Sequence, residues 1–318
     1  MSTEGSQTSL SPGRWRIGLI GYGEVGRVLA EELRSRDHAV RAWDLKLGQD
    51  ASAGAMREHA AAHGVVLAGS GAEAAIGTEL VISAVTASQT VAAAQAAGPG
   101  LAPGTFFLDF NSASPGAKVE AARLVEGAGG RYVEGAVMTS ISPLRLRVPL
   151  LLGGPRAGKL EAPLNAIGFA ARVASETLGI ASATKMCRSV MVKGLEAMVI
   201  ESFTAARHYG VEDALVASLR ETFPGIDWEC QAAYFFQRVI EHGRRRAEEM
   251  REAAQTVREA GLTPWSAAGT AERQAEVAAL TDVGNFGVRG EAGFARSADW
   301  RTEADRMLLT RTRTGDHS

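Results

Sequence analysis

The first half of the chain alternates short apolar runs with longer stretches that have helical periodicity. Four of the longer stretches predict helices, at Glu24–Arg36, Ser52–Ala62, Ser88–Ala97 and Ser114–Gly127. Eight apolar runs predict strands: Arg16–Ile20, Ala39–Trp43, Val65–Ala68, Leu80–Val85, Thr105–Asp109, Arg131–Glu134, Val148–Leu152 and Ala171–Ala174. Such alternation is typical of a parallel sheet whose two faces are covered by helices. The pattern therefore predicts an α/β domain with a doubly wound parallel sheet.

The pattern changes after about Gly179, where strand-like runs stop and helical periodicity dominates. We predict a disordered leader at residues 1–15, the α/β domain at residues 16–178 and an all-α domain at residues 179–318. The stretch Ala183–His208 has a single glycine and no proline, which favours one long helix. The polar tail after Gly284 is predicted to be loosely ordered or to form an arm on a partner subunit. Five aromatic residues of this domain are expected in its core, although one of them could instead line an apolar pocket: Trp228, Tyr234, Phe235, Phe236 and Trp265.

Composition and charge exclude several classes of function. The formal net charge of −2 provides no basic surface for nucleic acid or an anionic membrane. No apolar run approaches the roughly 20 residues of a membrane span, and the polar start of the chain lacks the apolar segment of a secretory signal. The two cysteines, Cys187 and Cys230, have neither metal-ligand spacing nor a disulfide framework. We therefore expect a cytoplasmic protein without a metal site that binds neither nucleic acid nor membranes.

A glycine-rich segment follows the first predicted strand and opens the first predicted helix. Its residues, Gly21, Tyr22, Gly23, Glu24, Val25 and Gly26, fit the pattern G-x-G-x-x-G. In this context the first glycine permits a tight turn, the second lets the backbone approach a pyrophosphate, and the third allows close helix–strand packing. The N–H groups at the start of the helix then face the phosphates. The segment predicts a Rossmann-type dinucleotide-binding domain at residues 16–178; the alternative is a glycine turn without a ligand.

An acidic residue closes the second predicted strand. Asp44 lies 18 residues after Gly26, where a carboxylate can accept hydrogen bonds from the adenosine ribose and would repel a 2′-phosphate. We therefore predict NAD as the cofactor. NADP is not excluded, because Arg41 and Lys46 lie nearby, and Asp44 could also be a polar residue at the end of a strand.

Two further segments carry side chains suited to chemistry. Asn111 and Ser112 follow the fifth predicted strand, at the sheet edge that faces the ligand crevice in open α/β folds. The next residues, Ser114 and Pro115, are also typical of a helix N-terminus. Lys185 lies near the start of the long predicted helix, where a partly desolvated ammonium could act as general acid or base. A surface lysine is the simpler interpretation when periodicity alone is considered.

Taken together, these residues resemble the β-hydroxyacid dehydrogenases, which include 3-hydroxyisobutyrate and 6-phosphogluconate dehydrogenases. The resemblance rests on Gly21–Gly26, Asp109–Pro115, Lys185 and Glu201, in the family's order and approximate spacing, and spans residues 16 to about 261. It implies that Lys185 is the catalytic lysine and exchanges a proton with the substrate hydroxyl as hydride moves to or from the nicotinamide.

The resemblance also implies the surroundings of that lysine. Asn111 and Ser112 would contact the substrate, and Val85 with Thr86 would lie beside the nicotinamide. The helical domain would form a homodimer, as it usually does in the family.

The chain departs from the family pattern in three places. Ser189 stands four residues after Lys185, where the family has Asn, and Arg188 precedes it. The substrate loop Glu134–Ser140 lacks the family's paired glycines. We therefore predict a divergent branch with a distinct helical domain.

Ser189 and Arg188 are predicted substrate contacts, and His242 is a third. His242 stands among arginines of the second domain that could face a carboxylate, although a solvated face with i,i+4 ion pairs explains most of these arginines better.

The leading hypothesis is an NAD(P)-dependent dehydrogenase that acts on a β-hydroxy acid or related alcohol, a small molecule expected to carry a carboxylate. Imine or ketone reduction is the second hypothesis, since imine reductases share this architecture but generally lack the lysine. A non-catalytic dinucleotide-binding sensor is the third hypothesis.

Overall fold

The computed structural model describes residues 13–291, 294–295, 297 and 299–315. Residues 1–12 of the predicted leader lie outside the described residues. The chain forms two compact units that divide between Met186 and Cys187, inside one long helix. In the described part of the chain, no helix is long and apolar enough to cross a membrane.

The first unit is built on one eight-stranded sheet with the order β3-β2-β1-β4-β5-β6-β7-β8. The strands are β1 (Arg16–Ile20), β2 (Ala39–Trp43), β3 (Val66–Leu67), β4 (Leu80–Ser83), β5 (Phe106–Asp109), β6 (Arg131–Val137), β7 (Pro149–Gly153) and β8 (Ala170–Ser175). All eight predicted strands are present; β1 and β2 match their predicted bounds, and no end of the other strands is shifted by more than three residues. The reversal of strand order at β1, between β4 and β2, creates the crevice in which doubly wound folds bind ligands.

The sheet is not wholly parallel, which corrects the prediction in one place. Strand β7 pairs antiparallel with β6, while β8 runs parallel to β7. A fully apolar strand such as Leu150–Leu152 packs between neighbours in either direction, so its composition did not reveal its direction. The fold class remains α/β, with a mostly parallel sheet.

Helices cover both faces of the sheet, because the strands direct apolar side chains to both faces. The helices of this unit are α1 (Glu24–Ser35), α2 (Asp50–His63), α3 (Gly71–Ala75), α4 (Thr90–Ala97), α5 (Pro115–Gly127), α6 (Ile141–Leu144) and α7 (Ala157–Ala166). Alternate strand residues enter different cores, because successive side chains point to opposite faces. Leu80 and Ile82 pack with Leu29 of α1, whereas Val81 packs with Ala93 of α4.

Trp15 is a correction to the predicted leader. Its side chain is buried in the core of the first unit, and its backbone N–H donates to His38 Nδ1 at 3.1 Å. The ordered chain therefore includes Trp15, whose indole buries a large apolar area. The polar residues around it in the sequence hid this signal.

The second unit is helical, as predicted. Its helices are α8 (Ile180–Tyr209, which begins in the first unit), α9 (Glu212–Thr222), α10 (Trp228–Glu259), α11 (Trp265–Asp282) and α12 (Trp300–Gly315). Of the aromatic residues predicted in its core, Trp228, Phe235 and Phe236 are buried. Tyr234 and Trp265 are not, with 49% and 82% exposure.

The prediction of a loosely ordered tail is wrong for the residues that the structure describes, while the alternative of an arm on a partner subunit stays a prediction. Helix α12 occupies much of that tail, and Trp300, Ala304 and Met307 are buried in the core of the second unit. These apolar residues recur at i, i+4 and i+7, a helical stripe that the many charged neighbours concealed.

Candidate functional site

The glycine segment forms the tight turn between β1 and α1. Gly21 has φ +98°, and a Cβ built there would lie 2.4 Å from the carbonyl oxygen of Ala84. A Cβ on Gly26 would lie 2.1 Å from the carbonyl oxygen of Gly21, so the helix packs directly against the turn. A Cβ on Gly23, in contrast, would meet no atom within 4 Å. Gly23 therefore leaves open space at the N-terminus of α1, which suits the approach of a pyrophosphate.

The carboxylate of Asp44 lies beside this turn at the end of β2. Its Oδ2 accepts from the backbone N–H of Tyr22 at 2.8 Å, and its Oδ1 accepts from that of Lys46 at 2.9 Å. Each oxygen keeps a second lone pair for a ligand hydroxyl. A cavity of about 480 Å³ opens next to Asp44 and is also lined by Leu45, Leu47 and Arg57. Its size is within the range of cofactor and ligand pockets.

The side chains in and near the glycine turn differ in their hydrogen-bond partners and in their burial. The guanidinium of Arg41 donates to the carbonyl oxygens of Glu73 and Ile76, at the end of α3. Tyr22 is fully buried, and burial raises the pKa of its hydroxyl to about 12. Glu24 is exposed at the start of α1, whereas Val25 is partly buried against the core. Backbone groups, rather than these side chains, are therefore what the turn offers to a cofactor.

The ends of β4 and β5 meet next to Gly21. The Val85 side chain would lie 2.9 Å from a Cβ on Gly21, and Thr86 follows as an exposed residue. Asn111 Oδ1 accepts from the Val85 N–H at 2.8 Å. The Asn111 amide donates to Ser83 Oγ at 2.9 Å, so both ends of this buried side chain bridge the two strands.

Lys185 and Ser112 are in direct contact. Lys185 Nζ donates to Ser112 Oγ at 2.5 Å, and both residues are partly buried within the first unit. The structure thus brings together two residues that are 73 positions apart in the sequence. Through Asn111 and Val85, this pair is linked to the glycine turn.

A fully buried charged network supports the turn that carries Ser112. Lys118 Nζ lies 2.9 Å from Asp109 Oδ1, and Tyr132 donates to Asp109 Oδ2 at 2.7 Å. Burial and the Asp109 carboxylate raise the pKa of Tyr132 well above its ordinary value. The backbone N–H of Asn111 donates to the same carboxylate at 2.9 Å. Because the buried Asp109 carboxylate has a partner on each oxygen, this network stabilises the end of β5.

Glu134 is a further residue of the site, and its role was not predicted. Its carboxylate is fully buried on β6 and accepts three hydrogen bonds at the start of α8. Oε1 accepts from the N–H groups of Gly179 and Ala181 at 3.0 and 2.9 Å, and Oε2 accepts from Ser182 Oγ at 3.0 Å. Glu134 therefore caps the helix that carries Lys185 one turn later.

The remaining predicted substrate residues lie in the second unit. Arg188 is exposed on α8, and Ser189 is buried and accepts from Lys193 Nζ at 3.4 Å. His242 on α10 has its Nε2 3.6 Å from a carboxylate oxygen of Glu241. Glu201 is exposed and pairs with Arg273 at 2.8 Å.

Two ion pairs of this unit join α8 to α10. Lys193 Nζ lies 2.6 Å from Glu249 Oε2, and burial lowers the pKa of that lysine. Arg246 is buried and pairs with Glu196. Arg245 is exposed and forms an i,i+4 pair with Glu249, as expected for arginines of a solvated face.

Comparison with known proteins agrees with this geometry. Residues 16–144 match the NAD binding domain of 6-phosphogluconate dehydrogenase. Residues 206–277 match a domain of unknown function, DUF1932. The chain therefore carries a dinucleotide-binding domain for NAD(P), followed by a helical region of another family.

Solved structures extend the match over nearly the whole chain. A conserved hypothetical protein from Sinorhizobium meliloti 1021 is 36% identical, with a TM-score of 0.72 over 94% of this chain and 99% of that one. The conserved protein MTH1747, described as structurally similar to 3-hydroxyacid dehydrogenases, is 30% identical, with a TM-score of 0.64 over 84% and 98% of the two chains. The chain belongs to a divergent branch of the β-hydroxyacid dehydrogenase family. This assignment confirms the resemblance drawn from the sequence.

More distant structures share the fold alone. A 3-hydroxyisobutyrate dehydrogenase from Mycobacterium tuberculosis, solved with L-serine, is 18% identical, with a TM-score of 0.67 over 94% and 100% of the two chains. An imine reductase from Myxococcus stipitatus, solved with NADP+, is 17% identical, with a TM-score of 0.51 over 92% and 99%. The chain therefore shares its fold with a protein named as a dehydrogenase and with one named as an imine reductase.

Proposed function

We propose that the protein is an NAD(P)-dependent dehydrogenase that transfers hydride between the nicotinamide and a β-hydroxy acid or related alcohol. The observation that carries this proposal is the 2.5 Å contact between Lys185 Nζ and Ser112 Oγ. The contact lies at the carboxyl edge of the parallel strands, where Val85 also meets the glycine turn. Oxidation of an alcohol by a bound dinucleotide requires a proton-transferring group close to the cofactor.

The residues of the first unit have distinct roles in this proposal. Gly21–Gly26 and Asp44 hold the dinucleotide, which when bound supplies the hydride acceptor or donor. Lys185 Nζ takes the proton from the substrate hydroxyl during oxidation and returns it during reduction. Ser112 Oγ accepts a hydrogen bond from Nζ and fixes its position next to the substrate. Asn111 is proposed to contact the substrate beside Ser112, while its amide also bridges the ends of β4 and β5.

The substrate is proposed to be a small molecule with a carboxylate. Arg188 is exposed and can form two parallel hydrogen bonds with such a group. Ser189 and His242 complete the proposed set of substrate contacts, and Thr86 lies beside the nicotinamide in this proposal.

NAD is the proposed cofactor rather than NADP. Asp44 places a carboxylate at the edge of the cavity, where it would accept ribose hydroxyls and repel a 2′-phosphate. The nearby Arg41 supports this preference, because its guanidinium is engaged by carbonyl oxygens of α3.

A cytoplasmic homodimer, joined through the helical unit, completes the proposal. Met191 and Met198 are 74% and 62% exposed and stand seven residues apart on α8, so they share a face. Trp265 is 82% exposed on α11. Large exposed apolar side chains of this kind mark protein–protein contacts when they are clustered.

The proposal is tested by measuring reduced nicotinamide across a panel of β-hydroxy acids with the wild type, Lys185→Ala and the exposed control Lys159→Ala. We expect Lys185→Ala to lower turnover by about 10²–10⁴-fold, the usual contribution of a general acid or base. Lys159→Ala should leave turnover unchanged. Full activity of a folded Lys185→Ala protein would contradict the role of this lysine.

The same assay separates the alternatives. Turnover of cyclic imines with NADPH, and of no hydroxy acid, would indicate an imine reductase, a function found in the same fold. Tight cofactor binding without turnover of any substrate would indicate a sensor.

A further inference from the structure

We propose that Glu31, His59 and His63 form a binding site for a divalent transition-metal ion of the zinc class. The three side chains lie on the first unit, on helices α1 and α2, and take no part in the proposed hydride transfer. His59 and His63 stand four residues apart on α2, so both imidazoles lie on one face of the helix. Glu31 reaches the same place from α1.

The potential ligand atoms of the three side chains lie close together. Glu31 Oε1 lies 2.9 Å from His59 Nε2 and 4.0 Å from His63 Nε2, and all three atoms lie within 4.8 Å of one another. Around a tetrahedral zinc ion with bonds of about 2.0–2.1 Å, neighbouring ligand atoms are separated by about 3.3 Å. The two measured separations fall on either side of that value. An ion would therefore need small rotations of the side chains and loss of the proton between His59 Nε2 and Glu31 Oε1.

The outer groups of this cluster also match a metal site. Tyr22 Oη lies 2.8 Å from His59 Nδ1, and Arg145 Nη2 donates to Glu31 Oε2 at 2.5 Å. Partners on the second imidazole nitrogen and on the second carboxylate oxygen orient metal ligands in proteins. In this structure His59 Nε2 donates to the Glu31 carboxylate at 2.9 Å. A bound metal ion would replace that proton, and with Nδ1–H donating to Tyr22 the Nε2 lone pair would then face the ion.

The ligand set of two imidazoles and one carboxylate determines which metal ions the site would prefer. This ligand set suits Zn²⁺ and its neighbours such as Co²⁺ and Ni²⁺, rather than Mg²⁺ or Ca²⁺, which prefer oxygen ligands. The side chain of His63 is 40% exposed, so water can reach a fourth position. The cysteine spacing predicted no metal site, whereas this cluster joins His59 to Glu31, 28 positions away on another helix.

The test is Zn²⁺ titration of the full chain without a histidine tag, by calorimetry and by thermal unfolding. Co²⁺ is a second probe, because its visible absorption reports tetrahedral coordination. The variants are His63→Ala, Glu31→Gln and Tyr22→Phe. The matched control is His208→Ala, which removes an exposed histidine of the second unit.

We expect one Zn²⁺ per chain, a higher Tm with the metal and a tetrahedral Co²⁺ spectrum. His63→Ala should weaken binding by more than about 100-fold, because loss of an outer partner alone costs about 10–100-fold. Tyr22→Phe should fall within that smaller range, and His208→Ala should bind as the wild type does. Absence of Zn²⁺ binding by the wild type, or equal binding by His63→Ala, would overturn the proposal and leave the cluster as a hydrogen-bonded bridge between two helices.

Discussion

The cap that Glu134 forms on helix α8 provides a quantitative test of how the fold positions Lys185. Replacing Glu134 with Ala removes three hydrogen bonds and leaves the N–H groups of Gly179 and Ala181 buried without a partner. Each unsatisfied buried donor costs about 1–3 kcal/mol. Removal of a buried charge offsets part of this cost, because its desolvation penalty is also lost. We therefore expect the free energy of unfolding to fall by about 3–5 kcal/mol.

Glu134→Gln is the conservative variant. Its amide oxygen can still accept from both N–H groups, so the expected loss is about 1–2 kcal/mol, mainly from the missing charge at the helix N-terminus. Catalysis should follow the same order. A misplacement of about 1 Å can lower a rate by about 10²-fold, so Glu134→Ala should lower kcat far more than it changes KM.

Gly153 allows a second approach to the same cap. A Cβ on Gly153 would lie 2.1 Å from Glu134 Oε1, so Gly153→Ala should displace the carboxylate from its three partners. In a protein that already carries Glu134→Ala, the same glycine substitution should cost little. The two substitutions should therefore be strongly non-additive.

Urea unfolding of the four proteins of this cycle, with the exposed control Glu126→Gln, measures these effects. Steady-state kinetics of the folded variants supplies the kcat and KM values. Additive losses, or a Glu134→Ala protein as stable as the control, would refute the assignment of Glu134 as the cap of α8.

Three further predictions concern the cofactor turn and the pH dependence of stability. Gly23→Ala should keep the wild-type Tm but weaken NADH binding, measured by fluorescence titration. Gly26→Ala should instead lower the free energy of unfolding by about 1–3 kcal/mol, because its Cβ has no space. Equal effects of the two substitutions would contradict their assigned roles. Asp44→Ala should weaken NADH binding by about 10–100-fold, which is the contribution of a hydrogen bond to a charged group. It should weaken NADPH binding less. An unchanged ratio of the two Kd values would count against a preference for NAD. The hydrogen bond from Arg301 lowers the pKa of Glu229 from 4.5, so the folded state is stabilised above that pH and loses this stabilisation as the pH falls through the folded pKa. Acid unfolding should therefore be less steep in Glu229→Gln, and an unchanged curve would show that this pair contributes nothing.

Much of the first unit could be predicted because its elements have strong local signals. The apolar runs are bounded by turn residues, and the glycine pattern requires a strand before it and a helix after it. The direction of β7 could not be predicted in this way, since a buried apolar strand such as Leu150–Leu152 fits both orientations. Helix α12 was missed because charged residues outnumber the buried stripe that includes Trp300.

The candidate site shows the same division between local and distant signals. Lys185 was identified through the family resemblance, and its contact with Ser112 joins segments 73 residues apart that no periodicity connects. The cap by Glu134 joins residues 45 and 47 positions apart, so only the fold reveals it. Asn111 was predicted to touch the substrate, but its amide bridges two strands. Its contact with substrate remains untested, and the residue beside it carries the contact with Lys185.

Hydride transfer itself is the most direct test of the proposed function. A β-hydroxy acid deuterated at the carbon that bears the hydroxyl is incubated with NAD and the protein, and the reduced cofactor is analysed by mass spectrometry. We predict that the wild type transfers the label to the nicotinamide, and that Lys185→Ala binds NAD equally well but transfers label at least about 10²-fold more slowly. Label transfer by Lys185→Ala at the wild-type rate, or none by the wild type from any β-hydroxy acid, would contradict the account.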